Sequence, residues 1–138
     1  AANEEYVEER FKLALRYQLR LDAIITENGF RAFSLKRLLR QRHLLRIDRK
    51  IHFYVSDSTI PMDLEKSVKY FWKVRNRGIK ARNKERGSIF RDRKEHDETS
   101  TFNGDHYVEV YAVVNGAVIA RAHIDVPIDS LRGIDEIA

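Results

Sequence analysis

Four side chains in the last third of the chain are of the types that proton transfer uses: His106, His123, Asp125 and Arg121. An imidazole beside a carboxylate titrates near neutral pH and can take up or deliver a proton. Two imidazoles with an arginine to stabilise developing charge would suffice for acid–base cleavage of RNA. The same His106, His123 and Asp125 could instead hold zinc or manganese, which accept imidazole and carboxylate together. The plainer reading is a hydrogen-bonded surface pair at a strand end, because a His–Asp pairing arises easily.

A different chemistry is spread over the middle of the chain. Residues 73–94 carry 10 basic and 2 acidic side chains, net +8, and residues 31–50 carry 8 and 1, net +7. Residues 95–138 carry 2 and 9, net −7, so the formal charge of +5 hides a strong internal asymmetry. Lys73, Arg75, Arg77, Lys80, Arg82, Lys84, Arg86, Arg91, Arg93 and Lys94 form a candidate phosphate-binding set, with Lys36, Arg37 and Arg40 as a supplementary face. Such cations neutralise phosphates and release counterions, which gives affinity independent of base sequence. Asn76, Asn83 and Ser88 add neutral donors. Trp72 and Phe90 would serve as stacking surfaces if exposed, although Trp72 falls on an apolar stripe and reads as core. The alternative is a solvated basic face, or one paired with the acidic tail. Zinc-finger spacing, an RNP-type strand, a Walker loop and a dinucleotide glycine loop are all missing from the sequence.

The element that must position the histidines is a β-hairpin, Tyr107–Val126, turned at Asn115-Gly116, the strongest two-residue hairpin signal. Pairing Val114 with Ala117 and counting outward sets His106 against Asp125 and Val108 against His123. Alternation then places His106, His123, Asp125 and Arg121 on one face. A register slip of one residue would undo that arrangement. Both hairpin faces are apolar, which implies a sheet covered on both sides or a face kept for a second copy of the chain.

Upstream, apolar residues from Tyr6 to Ile25 fit one face of a long helix over about 4–27, stopped by Asn28-Gly29. Ser34 can cap a second helix from Leu35. Ile51, Phe53 and Val55 alternate with His52 and Tyr54 as a short strand. Pro61 starts a third helix with Leu64, Val68, Phe71 and Trp72 on one face and Gly78 at its end. Residues 79–105 show no sustained period beyond a short strand at Ile89-Phe90, and read as a long basic loop. His43 and His52 look isolated. The architecture expected is α+β: N-terminal helices packed on a small antiparallel sheet that contains the C-terminal hairpin, with strand 51–55 added to it.

At 138 residues the chain suits a single domain over 1–138. It has no cysteine, which excludes disulfides, thiolate metal sites and a Cys nucleophile. No apolar run approaches a membrane span, and the reading is a soluble, cytoplasmic protein without membrane contact. No cofactor or metal is assigned. The leading expectation is a nucleic-acid-binding accessory or regulatory protein, DNA or RNA, acting through the basic loop. The others are a ribonuclease or metal-dependent nuclease built on the His/Asp/Arg cluster, and an adaptor or homodimeric regulator whose basic loop docks an acidic protein partner.

Overall fold

The structure, a computed structural model, describes residues 4–26, 31–41, 45–46, 49–76, 87–99 and 104–129. Within them the backbone is mostly β. In chain order the elements are α1 (Val7–Arg10), β1 (Lys12–Leu13), β2 (Leu19–Thr26), β3 (Phe33–Ser34), α2 (Leu35–Arg40), β4 (Leu45–Arg46) and β5 (Lys50–Ser58). There follow α3 (Met62–Glu65), β6 (Lys69–Asn76), β7 (Ile89–Asp92), β8 (Glu95–Thr99), β9 (Gly104–Val114) and β10 (Ala117–Asp129). The larger sheet runs β1-β10-β9-β6-β7, with β4 also pairing β10, and the smaller runs β3-β2-β5-β8.

The hairpin turn is where the sequence places it. Asn115 and Gly116 both take positive φ, 50° and 76°, the pair that a right-twisted two-residue hairpin needs. The register beyond the turn differs from simple counting. Ala117 pairs with Val114 and Val118 with Val113, but Ala120 then pairs with Ala112, leaving Ile119 as a bulge. The bulged carbonyl is taken up by the backbone N–H groups of Arg16 and Tyr17, at 2.9 and 3.0 Å. Downstream of Ile119 every cross-strand partner moves by one residue.

The expected α+β arrangement of helices on a small sheet is overturned. In place of the helix expected over 4–27, residues 4–26 form one turn of helix and then strands, and β2 alternates with Leu19, Leu21, Ala23 and Ile25 buried. The third helix stops after Glu65, and β6 takes over with Tyr70, Trp72 and Val74 turned inward. In both segments the apolar residues sit at spacings that period 2 and period 3.6 share. Aromatic and β-branched residues together with ladder partners on both sides decide for the strand. Strand 51–55 exists within β5, but it belongs to the smaller sheet. The 79–105 stretch is not uniformly loop, since β7 and β8 lie inside it. Ser34 does cap α2, its Oγ accepting from Arg37 N at 3.1 Å.

The two sheets share one core. Trp72, Val108, Val110, Ala120 and Ile124 of the larger pack with Leu21, Ala23, Ile25, Ile51 and Phe53 of the smaller, joined by Leu35 and Leu38 from α2. Trp72 is fully buried, and its indole N–H donates to the Arg93 carbonyl at 2.8 Å. The opposite face of the larger sheet is covered as well, by residues 4–13. Val7 and Phe11 pack there against Phe71, Ile89, Tyr111, Val113 and Val118. The second apolar face of the hairpin is therefore buried within the chain. No helix among the described residues is long and apolar enough to cross a membrane.

Gly116→Val tests the turn. A β-branched residue held at positive φ should cost about 1–2 kcal/mol, read as a lower denaturation midpoint with an unchanged m-value.

Candidate functional site

The bulge decides which chemistry can assemble. In the observed register His123 pairs with Glu109, Asp125 with Tyr107, and His106 with Val126. Side chains of paired residues share a face, so His106 points into the inter-sheet core while His123 and Asp125 lie on the outer face. His106 is 5% exposed there, next to Val126 and Val108 in the ladder. Arg121, paired with Tyr111, is exposed on the same face as His123. The expectation that both histidines share a face is thus corrected: the sheet separates them, and a two-histidine acid–base pair is not assembled. Among the described residues no group of three or more His, Asp or Glu is arranged to hold a metal ion.

The outer face assembles something else. Alternation along β6 turns Phe71, Lys73 and Arg75 outward, and β9 adds Tyr107, Glu109 and Tyr111. The N-terminal arm lays Glu4 over them. Its carboxylate accepts from Lys73 Nζ at 2.7 Å, lies 3.3 Å from Arg75 Nε, and accepts from the Tyr107 hydroxyl at 3.3 Å. These are enclosed charges: side-chain exposure is 9% for Glu4 and 4% for Lys73. The hydrogen bond from Lys73 holds the Glu4 carboxyl below its usual range. Burial works against the Lys73 ammonium, yet its bonds to Glu4 and Tyr107 prevail and raise its pKa. The ammonium also sits over the rings of Tyr6 and Tyr107, at 4.7 and 5.8 Å from their centroids.

From Tyr107 the network continues across the sheet. Its ring stacks on His123, with centroids 5.0 Å apart. His123 reaches Glu109 through Nδ1 and Asp125 through Nε2, both at 2.8 Å. Tyr111 donates its hydroxyl to the other Glu109 oxygen, and burial with that bond pushes its pKa far up.

Two further histidines are clamped between carboxylates in the same way, and sequence reading missed both. His96 lies between Asp92 at 2.7 Å and Glu98 at 2.6 Å, with its ring against Phe90 and Trp72. His52, far from isolated, lies between Asp97 at 2.6 Å and Glu95 at 3.2 Å. The available signal was the acidic alternation around His96 in Glu95-His96-Asp97-Glu98. The partner strand for His52 could not be read locally, because the His52–Asp97 pairing joins β5 to β8.

The basic set divides into three. Lys73 and Arg75 are buried beneath the arm. Arg37, Arg40, Arg91 and Arg93 are exposed and make no salt bridge among the described residues; Lys36 is half-buried, and Lys94 is exposed but lies 3.6 Å from Glu65. Arg77, Lys80, Arg82, Lys84 and Arg86 lie outside the described residues.

The clamps make a pH prediction. Burial opposes a charged His96, but the bonds to Glu98 and Asp92 outweigh it and raise its pKa above 6.5. A raised folded-state pKa contributes stability that is complete below 6.5 and is lost as pH rises through the folded value. His96→Gln should therefore lie about 1.5–3 kcal/mol below the parent near pH 6. The gap should narrow as pH rises through neutrality, measured by urea denaturation across that range. A gap that widens with pH would contradict the clamp.

No curated protein matches this chain. The sequence model of the adenylyl/guanylyl and SMODS C-terminal sensor domain family matches residues 1–129, nearly the whole of it. With an all but complete match, the chain belongs to the adenylyl/guanylyl and SMODS C-terminal sensor domain family.

Proposed function

We propose that this sensor domain reads a phosphate-rich ligand, nucleic acid above all, and serves a nucleotidyltransferase-associated system. The family's description supports the sensing role and its link to adenylyl and guanylyl chemistry. The observation that carries the ligand class is how the fold divides the cations. Lys73 and Arg75 on β6 are buried and paired with Glu4, while Arg91 and Arg93, at the exit of the 73–94 block, stand in solvent without a salt bridge among the described residues. Arg37 and Arg40 on α2 are similarly exposed. Unpaired guanidinium groups of this kind suit phosphates, which they can grip with two parallel N–H donors. A cytoplasmic setting suits such a ligand. The acid–base nuclease alternative lacks support in this geometry, since His106 and His123 lie on opposite faces of the sheet.

The test is fluorescence anisotropy with labelled single-stranded RNA, single-stranded DNA and duplex. Binding at about 50 mM salt should fall steeply by about 200 mM, as counterion release requires. Replacing Arg37, Arg40, Arg91 and Arg93 together by Ala should flatten the log–log salt slope by roughly 3, from a loss of about 0.7–0.9 per phosphate contact. Absence of binding at the lower salt with all three probes would sink the nucleic-acid reading.

A further inference from the structure

We propose that the Glu4 carboxylate fills an anion-binding site of the sensor, and that a phosphate group of the ligand takes this site as the N-terminal arm lifts. The proposal rests on the phosphate-ligand reading above and names a second, covered part of the site.

The pocket is built for an anion. Lys73 offers an ammonium enclosed by the sheet, Arg75 a guanidinium edge, and Tyr107 a hydroxyl, all aimed at one carboxylate. Removing one partner of a buried ion pair leaves an uncompensated charge and is strongly unfavourable. Replacing the carboxylate by a phosphate keeps every donor occupied and increases the charge they meet, so an exchange avoids that cost.

The arm is fastened in a way that lets its tip move first. Backbone pairing to the β9–β10 hairpin starts at Lys12, whose N–H donates to the Gly116 carbonyl at 3.1 Å, and continues with Ala14 to Val118. Val7, 3% exposed, anchors the middle of the arm. Ahead of Val7 the holds are the Glu4 ion cluster, the Lys73 ammonium over the Tyr6 ring, and links from Glu5 to the start of β7. Those links are Glu5 N–H to the Gly87 carbonyl at 2.9 Å and Ile89 N–H to the Glu5 carboxylate. The arm tip is therefore tied to the end of the basic 73–94 block. A ligand held by Arg91 and Arg93 acts on the strand that Glu5 grips, and Glu4 is the adjacent residue.

Tripolyphosphate is the minimal probe, read by isothermal titration beside the labelled oligonucleotides. Glu4→Gln, which keeps the shape and removes the charge, should bind tripolyphosphate about tenfold more tightly than the parent, the order expected when a tethered competitor is removed. Adding Lys73→Met to that variant should abolish the gain. Hydrogen exchange on the unaltered protein needs no variant: saturating tripolyphosphate should speed exchange of the Glu5 amide, and leave Lys12 and Ala14 protected. Unchanged or weaker binding by Glu4→Gln, or a Glu5 amide indifferent to the probe, overturns the latch. If oligonucleotides bind normally in that case, the nucleic-acid reading survives alone. If tripolyphosphate shows the Glu4 effect while no oligonucleotide binds, the latch stands and the ligand is a smaller phosphate compound.

Discussion

The β9–β10 ladder is the interaction on which the rest of the molecule is registered. β10 pairs with β1 and β4 as well as β9, and β9 carries β6, which in turn carries β7. The single extra residue at Ile119 sets the phase of nine of the eleven cross-strand pairs of that ladder. It holds because its carbonyl meets two backbone donors from the N-terminal segment, so the bulge and the path of the arm depend on each other. One residue of register decides whether His123 shares a face with His106 or lies on the opposite one, and the decision is made by backbone hydrogen bonding rather than by the histidines.

Because the part of the ladder near the turn is apolar on both faces, each face needs a cover there. The smaller sheet supplies one and the arm the other. The arm's cover is divided, with Val7 and Phe11 in an apolar cluster at one end and Glu4 in an ion cluster at the other. The apolar end favours burial without direction. The ionic end is directional and carries the desolvation cost of buried charge, which only well-placed donors offset. Such a contact adds little net stability and much geometric definition, which suits an element that must hold one position until a competing anion arrives.

The histidine clamps repeat one device at three places, an imidazole bridging two carboxylates. The exposed arginines of α2 and of the β7–β8 segment are among the described cations that make no such pairing.

Several features were legible in the sequence because their energetics are local. The Asn115-Gly116 turn depends on the left-handed conformation of those two residues, the Ser34 cap on a bond three residues long, and the burial of Trp72 on an apolar stripe that either period predicts. The basic and acidic blocks are likewise a property of the chain alone. Helix or strand for residues 19–26 and 69–76 was not local, since Leu21 and Ile25, or Tyr70 and Val74, share a face under both periods. Their ladder partners settled it. The bulge at Ile119, the His52–Asp97 pair and the burial of Lys73 and Arg75 under Glu4 were settled in the same way. Each depends on which distant backbone lies alongside, and so only the tertiary structure decided which charges meet.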